Sequence, residues 1–306
     1  MGSIKIIKPG LLTTVQDKGR YSYQKFGVPV SGVMDSFSHR VSNLLVGNDL
    51  FEAVLEVTLL GPEIEFLDDC VISITGGDLS PMINKKSIYM WKSMYVKKGD
   101  ILSFGQIKSG CRSYISFAGG IDVPLVMGSK STYIKGKIGG YEGRSLMSND
   151  ILKIGSIKDN FKNLKGRTIH SNHKPVYTNE FEVRVILGPQ DNYFTDKGIN
   201  SFLSNQYVVT NECDRMGYRL DGEKIEHIKG ADIISDGIAF GAIQVPDNGK
   251  PIIMMADRQT TGGYTKIAHI ISYDLSKIAQ AKPGDKINFK SISIEEAHKI
   301  LKSSFY

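Results

Sequence analysis

Cysteine and tryptophan are scarce in this chain of 306 residues, which contains three cysteines and one tryptophan. Cys70, Cys111 and Cys213 are odd in number and far apart, so they indicate neither a disulfide framework nor a metal site. His170 and His173 share one polar stretch without a nearby cysteine or acidic partner, so we expect no bound metal. This cysteine usage is typical of a reducing compartment, and we expect the protein in the cytoplasm.

Long apolar runs are also missing. The longest are far too short to cross a membrane, and the β-like start of the chain shows no apolar core of a signal peptide. The net charge of +6 favours a small anionic substrate. Much of the basic excess lies at residues 158–174, which lack the interleaved aromatic residues that stack on nucleobases. We therefore expect neither a membrane nor a nucleic-acid partner.

Short strand-like segments, many of them ending at glycine, dominate the sequence. Residues 71–75 and 113–117 each precede a Gly-Gly pair, and residues 181–187 alternate as a half-buried strand does. Many short strands with few helices favour β-barrels or β-sandwiches over a parallel α/β sheet. The Lys/Asn-rich residues 156–179 are the best candidate boundary between two halves, and similar Gly-Asp turns at 99–100 and 284–285 suggest that the halves are related.

Three helices are predicted. The first begins after Asp35, which is expected to cap it, and stops at a Gly-Asn pair. Its predicted buried face consists of Phe37, Val41, Leu44 and Leu45. The second has Asp274 near its start and ends at a Pro-Gly pair, and the third begins with a capping box formed by Ser293 and Glu296.

The densest polar chemistry lies at residues 257–264, directly after an apolar segment that is predicted to be a buried strand. A carboxylate, a guanidinium, a carboxamide and two hydroxyls run into Gly262 and Gly263. The glycines permit positive φ or a close approach of backbone and ligand, so the segment is a candidate small-molecule site. A glycine turn whose polar side chains cap one another explains the segment equally well.

Other polar clusters have structural alternatives. Arg20 offers a two-pronged donor for a carboxylate or phosphate, whereas Asp35 is explained as a helix cap. The Gly-Ser-Lys-Ser-Thr stretch at 128–132 lacks the spacing of a Walker phosphate loop. An internal salt bridge explains the charges of the Asp-Arg-Met-Gly segment around Arg215 as well as a ligand does.

Together these segments resemble one family, that of the C subunit of 5-oxoprolinase. It is also known as the KipA-like, allophanate hydrolase subunit 2 or biotin-dependent carboxyltransferase domain family. The matching motifs, in chain order, are residues 13–20, 27–35, 43–48, 56–62, 128–132, 214–217, 244–251 and 257–264. They include Thr-Val-Gln-Asp-x-Gly-Arg at the start and Gly-Val-Pro-x-Ser-Gly-x-Met-Asp after it.

The resemblance implies a mainly β protein of two tandem cyclophilin-like β-barrel domains with a few short helices. We expect the first domain at residues 1–160 and the second at 175–306. It also implies a component of an ATP-dependent 5-oxoprolinase, which opens the lactam of 5-oxoproline to glutamate. The expected partners are the KipI-like and the LamB/YcsF-like subunits of that enzyme. ATP is expected at the level of the complex, without a site assigned to this chain.

Two alternatives stay open. In a urea carboxylase setting, the same fold passes a carboxyl group from carboxybiotin to urea, and biotin is implied only there. The segment at 90–94 reads Met-Trp-Lys-Ser-Met and lacks the Met-Lys-Met order of a biotinylated hairpin, which favours the oxoprolinase. The other alternative is a regulator that binds a KipI-like kinase inhibitor.

The predicted site combines the polar segments of the sequence with the substrate that the resemblance implies. Asp257 is the expected catalytic carboxylate, and Gly262 and Gly263 are expected to offer backbone N–H groups to a carboxylate or lactam oxygen. Gln244 and Gln259 are expected to bind the amide. The remaining substrate-binding candidates are Arg20 and Arg215 as carboxylate clamps, with Thr260, Thr261 and Tyr264.

Overall fold

The computed structural model describes residues 2–156 and 161–303, which form two compact units. The first unit contains the chain up to Tyr21 and Ser31–Tyr177, and the second contains Ser22–Val30 and the chain from Thr178 onward. The predicted end of the first domain, residue 160, lies outside the described residues. The domain boundaries at 160 and 175 stay a prediction.

Among its described residues, the first unit consists of short strands and two α-helices. Its helices are α1 (Ser36–Leu45) and α2 (Phe161–Leu164). Its strands are β1 (Gly2–Lys8), β2 (Leu12–Gln16), β3 (Val54–Thr58), β4 (Glu63–Phe66), β5 (Cys70–Asp78), β6 (Pro81–Ile83), β7 (Lys86–Ser87), β8 (Ser93–Val96), β9 (Ile101–Phe104), β10 (Ser109–Phe117), β11 (Ile121–Asp122) and β12 (Ile151–Ile154).

The second unit has three helices and nine strands among its described residues. The helices are α3 (Asp196–Ser204), α4 (Ser272–Ile278) and α5 (Ile294–Ser303). The strands are β13 (Glu180–Leu187), β14 (Tyr207–Cys213), β15 (Gly217–Asp221), β16 (Asp232–Gly237), β17 (Ala242–Gln244), β18 (Ile252–Met254), β19 (Thr261–Tyr264), β20 (Lys266–Ile270) and β21 (Lys286–Ser291).

Two sheets build the first unit. One has seven strands in the order β11-β12-β1-β4-β9-β6-β7, and the other has five in the order β2-β3-β10-β5-β8. Alternation along the strands places apolar side chains of both sheets in one core cluster, and each fully buried residue of this kind contributes roughly 1.5–3 kcal/mol. Members of the cluster include Ile4, Ile6, Ile64, Phe66, Leu55, Ile72, Ile115 and Phe117.

Helix α1 packs its serine-rich side onto the five-stranded sheet. Asp35 caps the helix as predicted, because its Oδ1 accepts the Ser38 N–H at 2.9 Å. Ser73 of β5 donates to the Ser42 carbonyl at 2.7 Å, and Ser116 of β10 donates to the Ser42 hydroxyl at 2.6 Å. Buried hydroxyls need such partners, and each bond contributes about 1 kcal/mol. The helix is therefore held to the sheet by hydrogen bonds as well as by apolar packing.

The apolar side of α1 is narrower than predicted. Val41 and Leu45 pack against the buried Trp91, and Phe37 is half-buried beside the same ring. Leu44 is 54% exposed, so the prediction that it is buried is wrong. The reason is that the serines occupy the face against the sheet, which turns Leu44 to the surface.

Asp17 organises the loop at residues 128–132. Its Oδ1 accepts from the Ser129 hydroxyl at 2.7 Å, and its Oδ2 accepts from the Lys130 N–H at 2.6 Å. The Ser131 hydroxyl also donates to the Asp17 carboxylate. The serines and backbone of this glycine–serine loop thus bind a carboxylate of the protein itself.

The second unit contains a closed barrel in the order β13-β20-β17-β18-β15-β14-β21. The parallel pair β13–β21 closes it, with Phe181 opposite Ile287. Phe202 of α3 stacks on Phe289 of β21 with 4.5 Å between ring centroids, so α3 seals one side of the core. The predicted mainly β fold is confirmed, and β16 and β19 form a separate two-stranded ribbon beside the barrel.

The predictions for the helices of the second unit are confirmed in part. The capping box of α5 is confirmed, since Ser293 and Glu296 exchange hydrogen bonds of 3.1 and 3.2 Å. Asp274 lies in the first turn of α4 as predicted, but the helix ends before the Pro-Gly pair. Helix α3 was not predicted; Thr195 caps it by accepting the Gly198 N–H at 2.9 Å. Its first turn is polar and contains glycine, which hides the helix in the sequence.

Burial governs the ionisation of His39 on α1. It lowers the pKa of His39 below the ordinary value of 6.5, although the Glu52 carbonyl and the Asp17, Glu56 and Asp35 carboxylates act in the opposite direction. The unfolded chain therefore binds this proton more readily than the folded chain. The resulting stability is present above pH 6.5 and is lost as the pH falls through the folded pKa.

We expect the free energy of unfolding of the first unit to fall as the pH drops below 6.5 towards the folded pKa of His39, by about 1.4 kcal/mol for each pH unit between these two pKa values. Trp91, the only tryptophan, lies against α1, so urea unfolding followed by its fluorescence reports this unit. His39→Gln should flatten the pH dependence, and the exposed His173→Gln should leave it unchanged. An unaltered slope in His39→Gln would contradict the assignment.

Candidate functional site

A buried amide and a buried ammonium group lie side by side in the barrel of the second unit. Gln244 ends β17 and Lys266 begins β20, and the two residues are direct partners in the pairing of these strands. Gln244 is 2% exposed and Lys266 3% exposed. A lysine is rarely buried unless it is paired, so the surroundings of Lys266 need an explanation.

The Lys266 ammonium is paired with a carboxylate of the ribbon, by which we mean β16 and β19. Lys266 Nζ lies 3.1 Å from Asp236 Oδ2, and the two side chains are 4% and 55% exposed. The Lys266 N–H donates to Gln190 Oε1 at 3.0 Å, and Gln190 is among the groups that lower the pKa of Asp236. The Lys266 pairing is the main cause that lowers the pKa of Asp236. The buried Lys266 ammonium is therefore paired with a carboxylate that is itself exposed to solvent.

Two carboxamides approach the same glycine of the ribbon. A Cβ on Gly262 would lie 3.0 Å from Gln244 Nε2, 3.6 Å from Gln259 Nε2 and 2.6 Å from Ile238 Cδ1. Gln244 Nε2 also donates to the Tyr264 carbonyl at 3.2 Å. A side chain at position 262 would therefore displace the neighbouring carboxamide and Ile238.

We call this group of residues the amide cluster. It consists of Gln190, Asp236, Gln244, Gln259, Gly262 and Lys266. Its glutamines can donate and accept hydrogen bonds, and its lysine can only donate. Such a set can bind an amide and an anion together.

The double glycine at residues 262–263 forms part of a strand and not a turn. Gly262 and Gly263 lie in β19, where Gly262 pairs with Asp236 and Thr261 with Gly237. Neither glycine has the positive φ that a turn would require. Gly262 is needed for close packing, and the prediction that these residues donate backbone N–H groups to a substrate stays a prediction.

Asp257 and Arg215 bind each other. Arg215 Nε donates to Asp257 Oδ2 and Arg215 Nη2 to Oδ1, both at 3.0 Å, and both side chains are more than nine-tenths buried. The Asp257 N–H donates to the Arg215 carbonyl at 2.7 Å. Arg215 thus holds the carboxylate of Asp257, and its assignment as a clamp for a substrate carboxylate stays a prediction. The same bidentate pairing occupies both carboxylate oxygens of Asp257, whose catalytic role also stays a prediction.

Arg20 belongs to the first unit and is fully buried. Its Nε donates to the Val126 carbonyl at 2.9 Å and its Nη2 to the Ser131 carbonyl at 2.8 Å. These bonds give the guanidinium a structural role inside the protein, and its assignment as a substrate clamp stays a prediction.

The other predicted residues lie along the ribbon. Gln259, Thr261 and Tyr264 are exposed, and Thr260 is half-buried with its carbonyl accepting the Ile238 N–H at 3.0 Å. Through the contacts around Gly262 and the Tyr264 carbonyl, the structure brings Gln244, Gln259, Gly262 and Tyr264 together.

Sequence reasoning missed Gln190, Asp236 and Lys266. The position of Lys266 along the chain gave one indication of a role in the site. It lies at the start of the apolar segment that becomes β20, two residues after the polar segment 257–264. Gln190 and Asp236 are separated from it by 76 and 30 residues, and only the barrel and ribbon bring them close.

A cleft of about 770 Å³ lies elsewhere on the second unit, lined by α3 and the turns around residues 223–230 and 247–249. None of the predicted site residues lines it. The described residues contain no group of three or more histidine, cysteine, aspartate or glutamate side chains placed to hold a metal ion. Within the same parts of the chain, every helix is too short or too polar to bridge a bilayer.

Comparison with known proteins shows close relatives over almost the whole chain. The chain is 37% identical to the C subunit of 5-oxoprolinase from Escherichia coli (strain K12) over 298 residues, covering 97% of this chain and 93% of that protein. It is 34% identical to the C subunit of 5-oxoprolinase from Haemophilus influenzae over 287 residues, covering 94% and 90%.

A solved structure and a family model agree with these relatives. The crystal structure of the Kluyveromyces lactis urea carboxylase matches with a TM-score of 0.92 and 32% identity, covering 98% of this chain and 28% of that one. The model of the carboxyltransferase domain, subdomain A and B, matches residues 26–291. The resemblance seen in the motifs is confirmed: this chain belongs to the carboxyltransferase domain family, subdomains A and B.

Proposed function

We propose that this chain is one component of an ATP-dependent 5-oxoprolinase complex and that its amide cluster binds 5-oxoproline. The observation that carries the proposal is the arrangement of Gln244, Gln259 and the buried Lys266 around the ribbon. The names of two relatives that match nearly end to end support the choice of substrate.

The substrate's two polar groups suit the cluster. Its lactam has one N–H donor and one carbonyl acceptor, and each glutamine carboxamide offers the complementary acceptor and donor. Its carboxylate suits the Lys266 ammonium, and a hydrogen bond to a charged group contributes about 1.5–3 kcal/mol. We assign the lactam to Gln244 and Gln259 and the carboxylate to Lys266.

Ring opening adds water across the lactam C–N bond, so that the carbonyl carbon gains a hydroxyl and the nitrogen a proton. In our proposal, ATP drives this step at the level of the complex, and no residue of this chain is assigned to it. The partners are the KipI-like and the LamB/YcsF-like subunits of the enzyme, in the cytoplasm. Asp257 and Arg215 are positioning residues that fix the start of the 257–264 segment.

A second function has support of its own. The likeness to urea carboxylase over 98% of this chain favours transfer of a carboxyl group from carboxybiotin to urea. Urea is also an amide, so Gln244 and Gln259 suit it equally. Urea has no carboxylate, however, and so would not use Lys266 in the same way. A regulator that binds a KipI-like kinase inhibitor would bind that partner without turnover.

We expect the purified chain to be inactive alone and to support ATP hydrolysis that depends on 5-oxoproline once both partner subunits are added. The measurement is phosphate release from the reconstituted subunits with 5-oxoproline, with urea and with neither. Stimulation by urea instead would favour the carboxyltransferase. A stable complex without turnover would favour the regulator, and strong activity of the chain alone would contradict the requirement for partners.

Replacing Lys266 should weaken substrate binding. In the assembled complex, Lys266→Met should raise the KM for 5-oxoproline about 10- to 100-fold, because it removes one charge-assisted bond without opening a cavity. The matched control is Lys290→Met at an exposed position of β21, which should leave the KM unchanged. An unchanged KM in Lys266→Met would remove the lysine from the site.

The buried ion pair of Arg215 and Asp257 should stabilise the second unit. Asp257→Asn leaves the Arg215 guanidinium buried without a counter-charge, so we expect the second unit to lose about 3–5 kcal/mol of unfolding free energy. Urea unfolding followed by circular dichroism measures this, with the exposed Glu182→Gln of β13 as control. Normal stability combined with turnover reduced about 10²- to 10⁴-fold would instead return Asp257 to proton transfer.

A further inference from the structure

The partner of Lys266 is unusual among the buried charges of the second unit. The Lys266 side chain is 4% exposed, whereas that of Asp236 is 55% exposed. In the Arg215–Asp257 pair, by contrast, the two side chains are 5% and 9% exposed. Thus the carboxylate paired with Lys266 is exposed to solvent, whereas the one paired with Arg215 is buried.

Asp236 also lies on a strand, β16, whose residues are mostly exposed to solvent. The burial pattern of β16 shows five exposed residues and one half-buried one, and Ile234 is 95% exposed. Pairing between β16 and β19 is irregular between Asp232 and Asp236. At the two ends of the ribbon its strands are joined by further bonds, from the Thr265 N–H to the Ala231 carbonyl and from the Ile238 N–H to the Thr260 carbonyl. From the barrel, the Gln244 carboxamide donates to the Tyr264 carbonyl of the ribbon.

We propose that Asp236 is an internal competitor that occupies the anion site of Lys266, and that a small carboxylate or carbonate anion displaces it. This inference rests on the proposed function, because it concerns the group that binds the substrate carboxylate. In both states the buried ammonium keeps one anionic partner, as a buried charge requires. Once displaced, Asp236 is solvated by water, since its side chain is already 55% exposed, and its Oδ1 can keep the bond from the Gly237 N–H.

The size of the ligand follows from the group it replaces. The displaced group is one carboxylate on a single methylene, so an anion of acetate or carbonate size fills the same place. The Gln190 carboxamide accepts the Lys266 N–H, which places it beside the anion site of Lys266. The proposed ligand is therefore a small anion of this kind.

The first experiment measures sodium acetate binding to the full chain by NMR titration, with ionic strength held constant by sodium chloride. Asp236→Ala should bind acetate at least about tenfold more tightly than the natural sequence, because the competitor is gone. Asp236→Asn, which keeps the shape of the side chain, serves as a second variant. Asp232→Ala on the same strand should bind like the natural sequence, and Asp236→Ala combined with Lys266→Met should lose the gain.

The second experiment measures the KM for 5-oxoproline in the assembled complex. Asp236→Asn should lower it about tenfold, the opposite of Lys266→Met. A raised KM in Asp236→Asn, or acetate affinity unaltered in both Asp236 variants, would overturn the competitor role and leave the proposed function intact. If acetate affinity rises but Lys266→Met leaves the KM unchanged, the anion site stands and the assignment of the substrate carboxylate to it fails.

Discussion

The burial of the Lys266 ammonium is the constraint on which the candidate site depends. A charge removed from water must be paired and hydrogen-bonded, and Lys266 meets this need with a carboxylate from another element. That element is β16, which has to lie beside the barrel for Asp236 to reach the lysine. The position of the ribbon, and with it that of Gly262 and Gln259, therefore depends on this buried charge together with the Gln244 bond to the Tyr264 carbonyl.

Two ion pairs of the second unit differ in how firmly they hold their carboxylate. Arg215 and Asp257 are both buried and joined by two hydrogen bonds, so they form a fixed point at the start of the 257–264 segment. Lys266 and Asp236 are joined by one contact, with one partner in solvent. Because an exposed carboxylate is held less firmly than a buried one, the second pair is the one that can exchange its anion.

What the sequence predicts best is local. The caps formed by Asp35 and Ser293 depend on neighbours three residues away, and both are confirmed. The prediction for Leu44 failed because the sequence cannot show that serines of α1 have hydroxyl partners on β5 and β10. The sequence likewise left open which carboxylate Arg215 binds, since Asp257 lies 42 residues away.

The site itself could be predicted in part. Gln244, Gln259 and Gly262 stand out by their polar surroundings and do come together, although Gly262 serves close packing and not a turn. Lys266 was overlooked because a lysine at the edge of an apolar strand is ordinarily exposed. Its burial follows from pairing with Gln244 in the barrel, which no local pattern reveals.

The most direct test is a crystal structure of the assembled complex with 5-oxoproline bound. We expect the lactam within hydrogen-bonding distance of Gln244 and Gln259, the substrate carboxylate against Lys266 Nζ, and the Asp236 carboxylate turned away from the lysine. Substrate bound elsewhere, with the Lys266–Asp236 pair intact, would contradict the central claim that the amide cluster is the substrate site.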